Sequence, residues 1–284
     1  MGITVAVMAQ GTMGAGVGKR LHERGARVKT LLSGRSEASA NRAKAAGMDA
    51  AADERDLLSG ADYFLSILPP DQAVGLAERL APALQSLPVK PVYVDCNAVS
   101  PQTAGRVAAI VEPTGAAFVD GGIIGAPPRE GYSPAIYASG PAAERTAALK
   151  DYGIDWRIID GPVGAASGLK MSYAGITKGT TAIAAAMLLG AARFGCAEAL
   201  IAELSSSQPE MLGRMKKNIP GMYDKAYRWV GEMQEISDFL DANAPSSEMY
   251  RGIARLYDFL AAAEAEGHKP DDNAIRTLDR VLGR

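Results

Sequence analysis

The chain has 284 residues, 48% of them hydrophobic and 22% charged, a mixture that excludes disorder and suits about two domains of roughly 150 residues each. Its 30 basic and 32 acidic residues leave a formal charge of −2, which removes any electrostatic case for nucleic acid or an anionic membrane as partner. Two cysteines and two histidines are too few for a structural zinc cluster or a disulfide framework, so no metal is expected and Cys96 and Cys196 read as reduced thiols of a cytoplasmic protein.

The opening apolar run, 3–8, lacks the basic segment of a signal peptide and leads into a glycine-rich turn, so it reads as a strand. The longest apolar run, 182–192, falls short of the about 20 residues a bilayer span needs. Neither secretion nor a membrane span is expected. Further strands are expected at 27–32, 62–68, 92–95, 117–119, 135–138 and 156–159, with helices between them at 14–24, 36–46, 71–85, 101–112 and 142–152. Gly25, Gly47 and Gly153 stand where left-handed caps end helices, and Ser100-Pro101 supplies an N-cap and a first-turn proline. This alternation predicts a mainly parallel, doubly wound α/β sheet with helices on both faces. From Val163 onward no strand pattern appears. Helices are expected at 169–204 (one or two), 221–241, 246–266 and 271–282, punctuated by Pro209, Pro220, Pro245 and Pro270. The expected organisation is an α/β domain over 1–162 and an all-helical domain over 163–284.

The first strand ends in Gln10-Gly11-Thr12-Met13-Gly14. Gly11 and Gly14 fill the second and third places of G-x-G-x-x-G, and Ala9 holds the first. Such a turn lets a diphosphate approach the backbone and opens a helix whose free N–H groups face the anion. Alone it is a weak signal, since a glycine-rich link also serves simply to pack helix on strand; its place after the first strand gives it weight. An NAD site carries an acid about 20 residues on, for the ribose 2′-hydroxyl. Residues 31–36 offer none and present Ser33, Arg35 and Ser36, suited to a 2′-phosphate. NADP is favoured over NAD, the other reading being a solvated Arg35 and a Ser36 that only caps the next helix.

Three further strand ends point to where ligands of open α/β sheets bind. Leu68-Pro69 suits a wall beside a nicotinamide ring, and Asn97, Ile124 and Gly125 suit a substrate floor; each serves equally as loop punctuation. Lys170 and Tyr173 lie one turn apart on the first helix of the helical half and can point together towards the cleft between the halves. A partly buried lysine can exchange the proton that alcohol–carbonyl interconversion requires. From spacing alone Lys170 reads as a snorkelling surface residue.

Assembled in order, these pieces resemble the β-hydroxyacid dehydrogenase superfamily, relatives of 6-phosphogluconate and 3-hydroxyisobutyrate dehydrogenases, in an NADP-using branch. Gln10 to Gly14 resembles the family's glycine-rich turn with its Met-Gly, and Gly34-Arg35-Ser36 the Asn-Arg-Thr element of NADP-using members. Asp95 to Pro101 is similar to D-x-S-T-x-x-P, and Asp120 to Ala126 to D-A-P-V-S-G-G. Gly164 to Ala174 resembles G-x-G-x-x-x-K-x-x-N-N with Lys170 on the catalytic lysine, and Lys225 falls at the C-terminal Lys-Asp pair. The resemblance implies a Rossmann-like N-terminal domain and hydride transfer between NADP(H) and an alcohol or carbonyl compound. It assigns Lys170 as general acid/base and Tyr173 to the reacting oxygen. Gln10, Gly11, Thr12, Met13, Gly14, Ser33, Arg35, Ser36, Leu68, Pro69 and Asn97 would contact the cofactor. Asn97, Ile124, Gly125, Lys170, Tyr173 and Lys225 would contact the small-molecule substrate, and the helical domain would form a homodimer.

The departures matter as much. Asn97-Ala98 replaces the family's Ser-Thr, Ile124-Gly125-Ala126 its Ser-Gly-Gly, and Tyr173-Ala174 its paired asparagines. These changes imply a less polar site and a substrate bulkier than 3-hydroxyisobutyrate. Imine reductases share this architecture but place an aspartate or tyrosine where Lys170 stands. A non-catalytic NADPH-binding sensor is the other alternative, allowed by the lost asparagines and opposed by the retained lysine.

Overall fold

The computed structural model describes residues 2–8, 11–240 and 244–265; the helix expected at 271–282 lies outside them. Backbone contacts gather the chain into two compact units, Met1–Met171 and Ser172–Arg284.

The strands of the first unit are β1 (Thr4–Met8), β2 (Arg27–Leu31), β3 (Asp49–Ala51), β4 (Tyr63–Ser66), β5 (Val92–Asp95), β6 (Phe118–Ile124), β7 (Ala135–Ser139) and β8 (Asp155–Ile158). They form one sheet in the order β3-β2-β1-β4-β5-β6-β7-β8, parallel throughout except between β6 and β7. Helices α1 (Thr12–Glu23), α2 (Glu37–Ala45), α3 (Glu54–Leu58), α4 (Ala73–Ser86) and α5 (Pro101–Val111) carry the chain between them. Strand β1 shows why the sheet is covered on both faces. Val5 and Val7 join one buried cluster with Val17 and Leu21 of α1, while Ala6 and Met8 join another with Leu80 of α4 and Val107 of α5. Strand side chains alternate, so a strand buried on both faces reads as an unbroken apolar run. On the second face Phe64, Tyr93 and Phe118 form a ring ladder with centroids 4.8 and 5.9 Å apart.

Local signals hold where the partners are local. Gly25, Gly47 and Gly153 all have positive φ, and Ser36 and Ser100 cap α2 and α5 by accepting the N–H groups of Ser39 and Thr103. The expected strand 117–119, by contrast, continues to Ile124. Gly121 and Gly122 lie inside it, because a Cβ on Gly121 would stand 2.9 Å from the Asp95 carbonyl oxygen and one on Gly122 2.7 Å from that of Ala166. Close approach, not turn chemistry, selects these glycines. Residues Ala143–Tyr152 form a 3₁₀ helix rather than an α-helix: the Thr146 hydroxyl donates to the Ala143 carbonyl at 2.6 Å and accepts the Trp156 indole N–H at 2.9 Å. Strand β3 and helix α3 are too short for periodicity to register.

The second unit continues α6 (Ala165–Arg193), which begins in the first, and adds α7 (Ala197–Ser207), α8 (Pro209–Asn218), a 3₁₀ turn (Pro220–Lys225), α9 (Ala226–Phe239) and α10 (Ala244–Ala265). The segment 169–204 is thus two helices, separated at Gly195 with φ 72°. Helix α8 is unexpected, with Pro209 as its first residue rather than only a boundary. Among the described residues this unit has no strand. The Tyr250 hydroxyl packs where side chains on Gly175 and Gly179 would stand. Lys178 pairs with Glu232 and lies 5.2 Å from the centre of the Trp229 ring. By length and composition α6 matches a membrane-crossing helix, and half of that apolar window is buried inside the protein.

A tie between β2 and α3 makes stability depend on acid. Lys29 of β2 is buried and reaches a carboxylate oxygen of Asp56 at 3.0 Å, while the other oxygen accepts the Ala52 N–H at 2.9 Å. The Ala52 N–H, then Lys29, hold the Asp56 carboxyl below its ordinary range. A depressed folded-state value means that the contribution is present above the unfolded aspartate value of ~3.9 and is lost as pH falls through the folded value. Asp56→Asn should therefore lower the thermal midpoint at neutral pH and converge with the parent protein in acid, as thermal unfolding across pH would show.

Candidate active site

Strands β1, β2, β4, β5 and β6 run parallel and direct their carboxyl ends to one edge of the sheet, where the strand order changes direction between β1 and β4. Beyond β1, Gly11 precedes α1 with φ −67° and ψ 176°, and no side chain caps the helix. A Cβ on Gly11 would point into open space. An uncapped helix N-terminus that a ligand can approach this closely fits the diphosphate of a dinucleotide. Thr12 is exposed there, Met13 half-buried and Gly14 buried; Gln10 lies outside the described residues. At the end of β4, Leu68 is half-buried and Pro69 exposed.

At the end of β2, Ser33 and Ser36 are exposed and Arg35 half-buried. Burial first, and the positive charge of Arg79 on α4 second, push the Arg35 guanidinium below its ordinary pKa. Arg79 itself lies 3.4 Å from Glu54 of α3.

Asn97, expected on both cofactor and substrate, is 2% exposed and has its amide engaged inside the protein. Its Oδ1 accepts the Leu68 N–H at 2.5 Å, its Nδ2 donates to the Ser66 hydroxyl at 2.8 Å, and its own N–H donates to Asp95 at 3.0 Å. In this structure the side chain ties the end of β5 to the end of β4 and holds Leu68.

Helix α6 starts at Ala165, directly after Gly164, which has no side chain to cap it. Gly164 has φ +101°, and a Cβ there would stand 2.9 Å from that of Pro101. The cap comes from the sheet instead. Asp120 of β6, 1% exposed, accepts the N–H groups of Gly164 and Ser167 and the Ser139 hydroxyl at 3.0 Å each, and the Ser167 hydroxyl at 2.5 Å. The Ser139 oxygen in turn accepts the Ala166 N–H at 2.9 Å. Among the described residues no ion pair reaches Asp120. These four hydrogen bonds replace the water that the buried carboxyl group gives up.

Asp120 and Gly122 share a face of β6. A Cβ on Gly122 would stand 3.2 Å from that of Lys170, so Lys170, half-buried on the second turn of α6, lies over β6 beyond the end of β5. Tyr173, one turn on, is 51% exposed. Ile124 closes β6 half-buried, and Gly125 follows with φ 134°. Lys225 is exposed at the end of the 3₁₀ turn in the second unit. The structure thus brings Gly11–Gly14, Arg35, Leu68, Pro69, Asn97 and Lys170 to one edge of the first unit's sheet. Sequence reasoning assigns no role to Ser139 or Ser167 and does not read Asp120 as a cap. The available signal is a helix that starts after glycine with no Ser, Thr, Asp or Asn before it, whose first N–H groups need acceptors from elsewhere.

Burial, then the Asp95 and Asp120 carboxylates, push the Cys96 thiol well above its ordinary range, so it is not a nucleophile. Among the described residues no group of three His, Cys, Asp or Glu side chains could hold a metal ion.

Residues 4–152 match the family described as the NAD binding domain of 6-phosphogluconate dehydrogenase, and residues 191–260 a domain of unknown function, DUF1932. An uncharacterized 28.5 kDa protein of Methanothermus fervidus is 29% identical over 214 residues, 75% of this chain and 81% of that protein. A solved structure of a conserved protein of unknown function, described as similar to 3-hydroxyacid dehydrogenases, is 29% identical with a TM-score of 0.71, covering 93% of this chain and 99% of that one. The 3-hydroxyisobutyrate dehydrogenase of Mycobacterium tuberculosis, solved with L-serine, is 20% identical with a TM-score of 0.71, covering 98% and 99%.

Proposed function

The chain belongs to the family of the NAD-binding domain of 6-phosphogluconate dehydrogenase and is an NAD(P)-dependent dehydrogenase acting on CH–OH groups; from that premise we propose that residues 1–162 bind NADP, that residues 163–284 serve substrate and dimerisation, and that Lys170 is the general acid/base. The observation that carries this reading is the seat of Lys170 over Gly122, beyond the end of β5, on the sheet edge that also bears the uncapped N-terminus of α1. Bound there, the cofactor supplies or takes up the hydride.

In this reading Gln10 to Gly14 and the first N–H groups of α1 hold the diphosphate, and Leu68 and Pro69 wall the nicotinamide ring. Lys170 gives a proton to the carbonyl oxygen in reduction and takes it from the alcohol in oxidation. The Tyr173 hydroxyl, one helical turn away, orients that oxygen. Asn97 acts through Leu68, whose backbone it holds. Ile124 and Gly125 make the substrate end of this edge less polar than the family pattern, which favours an alcohol or carbonyl compound bulkier than 3-hydroxyisobutyrate. Ser33, Arg35 and Ser36 hold the 2′-phosphate. Two neighbouring guanidinium groups, Arg35 and Arg79, support that assignment, because a phosphate dianion relieves their repulsion. The protein works in the cytoplasm as a homodimer. Ile176, Ile183, Met187 and Phe194 are exposed at spacings of seven, four and seven residues along and just beyond α6, the register of a helix–helix seam.

Turnover is followed by NADPH absorbance against hydroxyacids, aldehydes, aryl ketones and cyclic imines. Lys170→Ala should lower the rate with any accepted substrate about 10²–10⁴-fold and leave NADPH binding unchanged in a fluorescence titration. Full activity in that variant removes Lys170 from the chemistry, and no turnover of any compound by the parent protein favours a sensor. Arg35→Ala should weaken NADPH binding by about tenfold or more while sparing NADH; equal losses refute the phosphate role. In sedimentation the parent should run at twice its 29.6 kDa mass and Ile183→Asp as a monomer, whereas a monomeric parent refutes the dimer.

A further inference from the structure

We propose that Asp120 is the positioning residue for Lys170, its charge pinning the first turns of α6 to β6 so that the lysine is held beyond the end of β5. The functional meaning of this inference rests on the acid/base reading of Lys170; its structural content does not.

The contrast with the other helices carries the argument. Helices α2 and α5 are capped from their own chain, by Ser36 and Ser100 immediately before them. A local cap satisfies the helix and leaves its direction to packing. Helix α6 has glycine at that place and takes its acceptors from two paired strands. Asp120 and Ser139 face each other in the register of β6 and β7, and between them they accept the N–H groups of Gly164, Ala166 and Ser167. Three N–H groups pinned to two neighbouring strands fix both the height and the rotation of the helix. From that pin the two elements run on together. Two residues along β6, about 6.6 Å, stands Gly122; three residues along α6, about 4.5 Å of rise, stands Lys170. The missing Cβ of Gly122 is what lets them touch.

The anchor is a charge as well as a shape. No ion pair reaches Asp120 among the described residues, and its carboxylate meets the first N–H groups of α6, the positive end of that helix's dipole. The substitution that separates the two contributions is Asp120→Asn. Its amide oxygen can still accept the Gly164 and Ser167 N–H groups, and its NH₂ can meet the Ser167 oxygen, but the charge is gone.

The test uses the full chain with its lysines converted to ¹³C-dimethyl-lysine, the Lys170 NMR signal being assigned by its loss in Lys170→Arg. Asp120→Asn should displace the Lys170 signal and speed amide exchange at Gly164, Ala166 and Ser167 by about tenfold or more, with the Lys29 signal on β2 unmoved. A Lys170 signal that stays in place while the thermal midpoint falls would overturn the proposal, leaving Asp120 a contributor to stability only. If Asp120→Asn does not fold, Ser167→Ala removes one bond to the carboxylate and keeps the charge. It should displace the Lys170 signal in a smaller degree, and no displacement there overturns the proposal equally. Neither readout involves a substrate, so unimpaired turnover by Lys170→Ala would remove the acid/base role without altering this result.

Discussion

A carboxylate carried out of water destabilises a fold by several kcal/mol unless other donors replace its hydration. Asp120 meets that condition with two backbone N–H groups and two hydroxyls, and with the Ser139 hydroxyl, which takes the Ala166 N–H, it caps α6 from the sheet. One set of contacts therefore satisfies a buried charge, finishes a helix and seats Lys170. The geometry is possible only because Gly122 and Gly164 have no Cβ: the first admits the Ala166 carbonyl and the Lys170 Cβ, the second admits Pro101. A side chain at Gly122 would push the helix off the sheet, and one at Gly164 would press against the start of α5.

The same economy of polar groups recurs one strand away. Asn97 closes the ends of β4 and β5 onto each other through Leu68 and Ser66. Cys96, next to it, sits in a field made negative by two cross-strand carboxylates, Asp95 and Asp120, and its thiol is held protonated. Polar side chains at the strand ends thus serve the frame. Around Gly122, beyond the end of β5, the groups that remain are exposed Pro69 and half-buried Leu68, Ile124 and Lys170, whereas the polar residues Thr12, Ser33, Arg35 and Ser36 gather beyond β1 and β2. That division is the structural ground for proposing a substrate that is not held by a constellation of hydroxyls and amides.

Much of this architecture is legible in the residues themselves. The strand pattern of β1, β2, β4 and β5, the caps at Ser36 and Ser100, the left-handed glycines after three helices and the glycine-rich turn all follow from neighbours within a few positions. So does the absence of an acid after β2. Where partners are distant, the reading stops short. Gly121 and Gly122 give no local reason to continue the strand beyond 119, and the Thr146 hydroxyl in the 3₁₀ helix finds its indole partner, Trp156, on β8.

Local sequence by itself determined which segments alternate and where most helices begin and end, because dihedral preference, capping and periodicity act over one or two turns; the role expected of Lys170 comes from the family resemblance. Only the tertiary structure decided that β6 runs to Ile124, that Asn97 faces inward, and that Asp120 caps a helix beginning 45 residues later. Those outcomes depend on which backbone atoms arrive beside a given Cβ position or buried oxygen, and no spacing along the chain encodes that until the strands have paired.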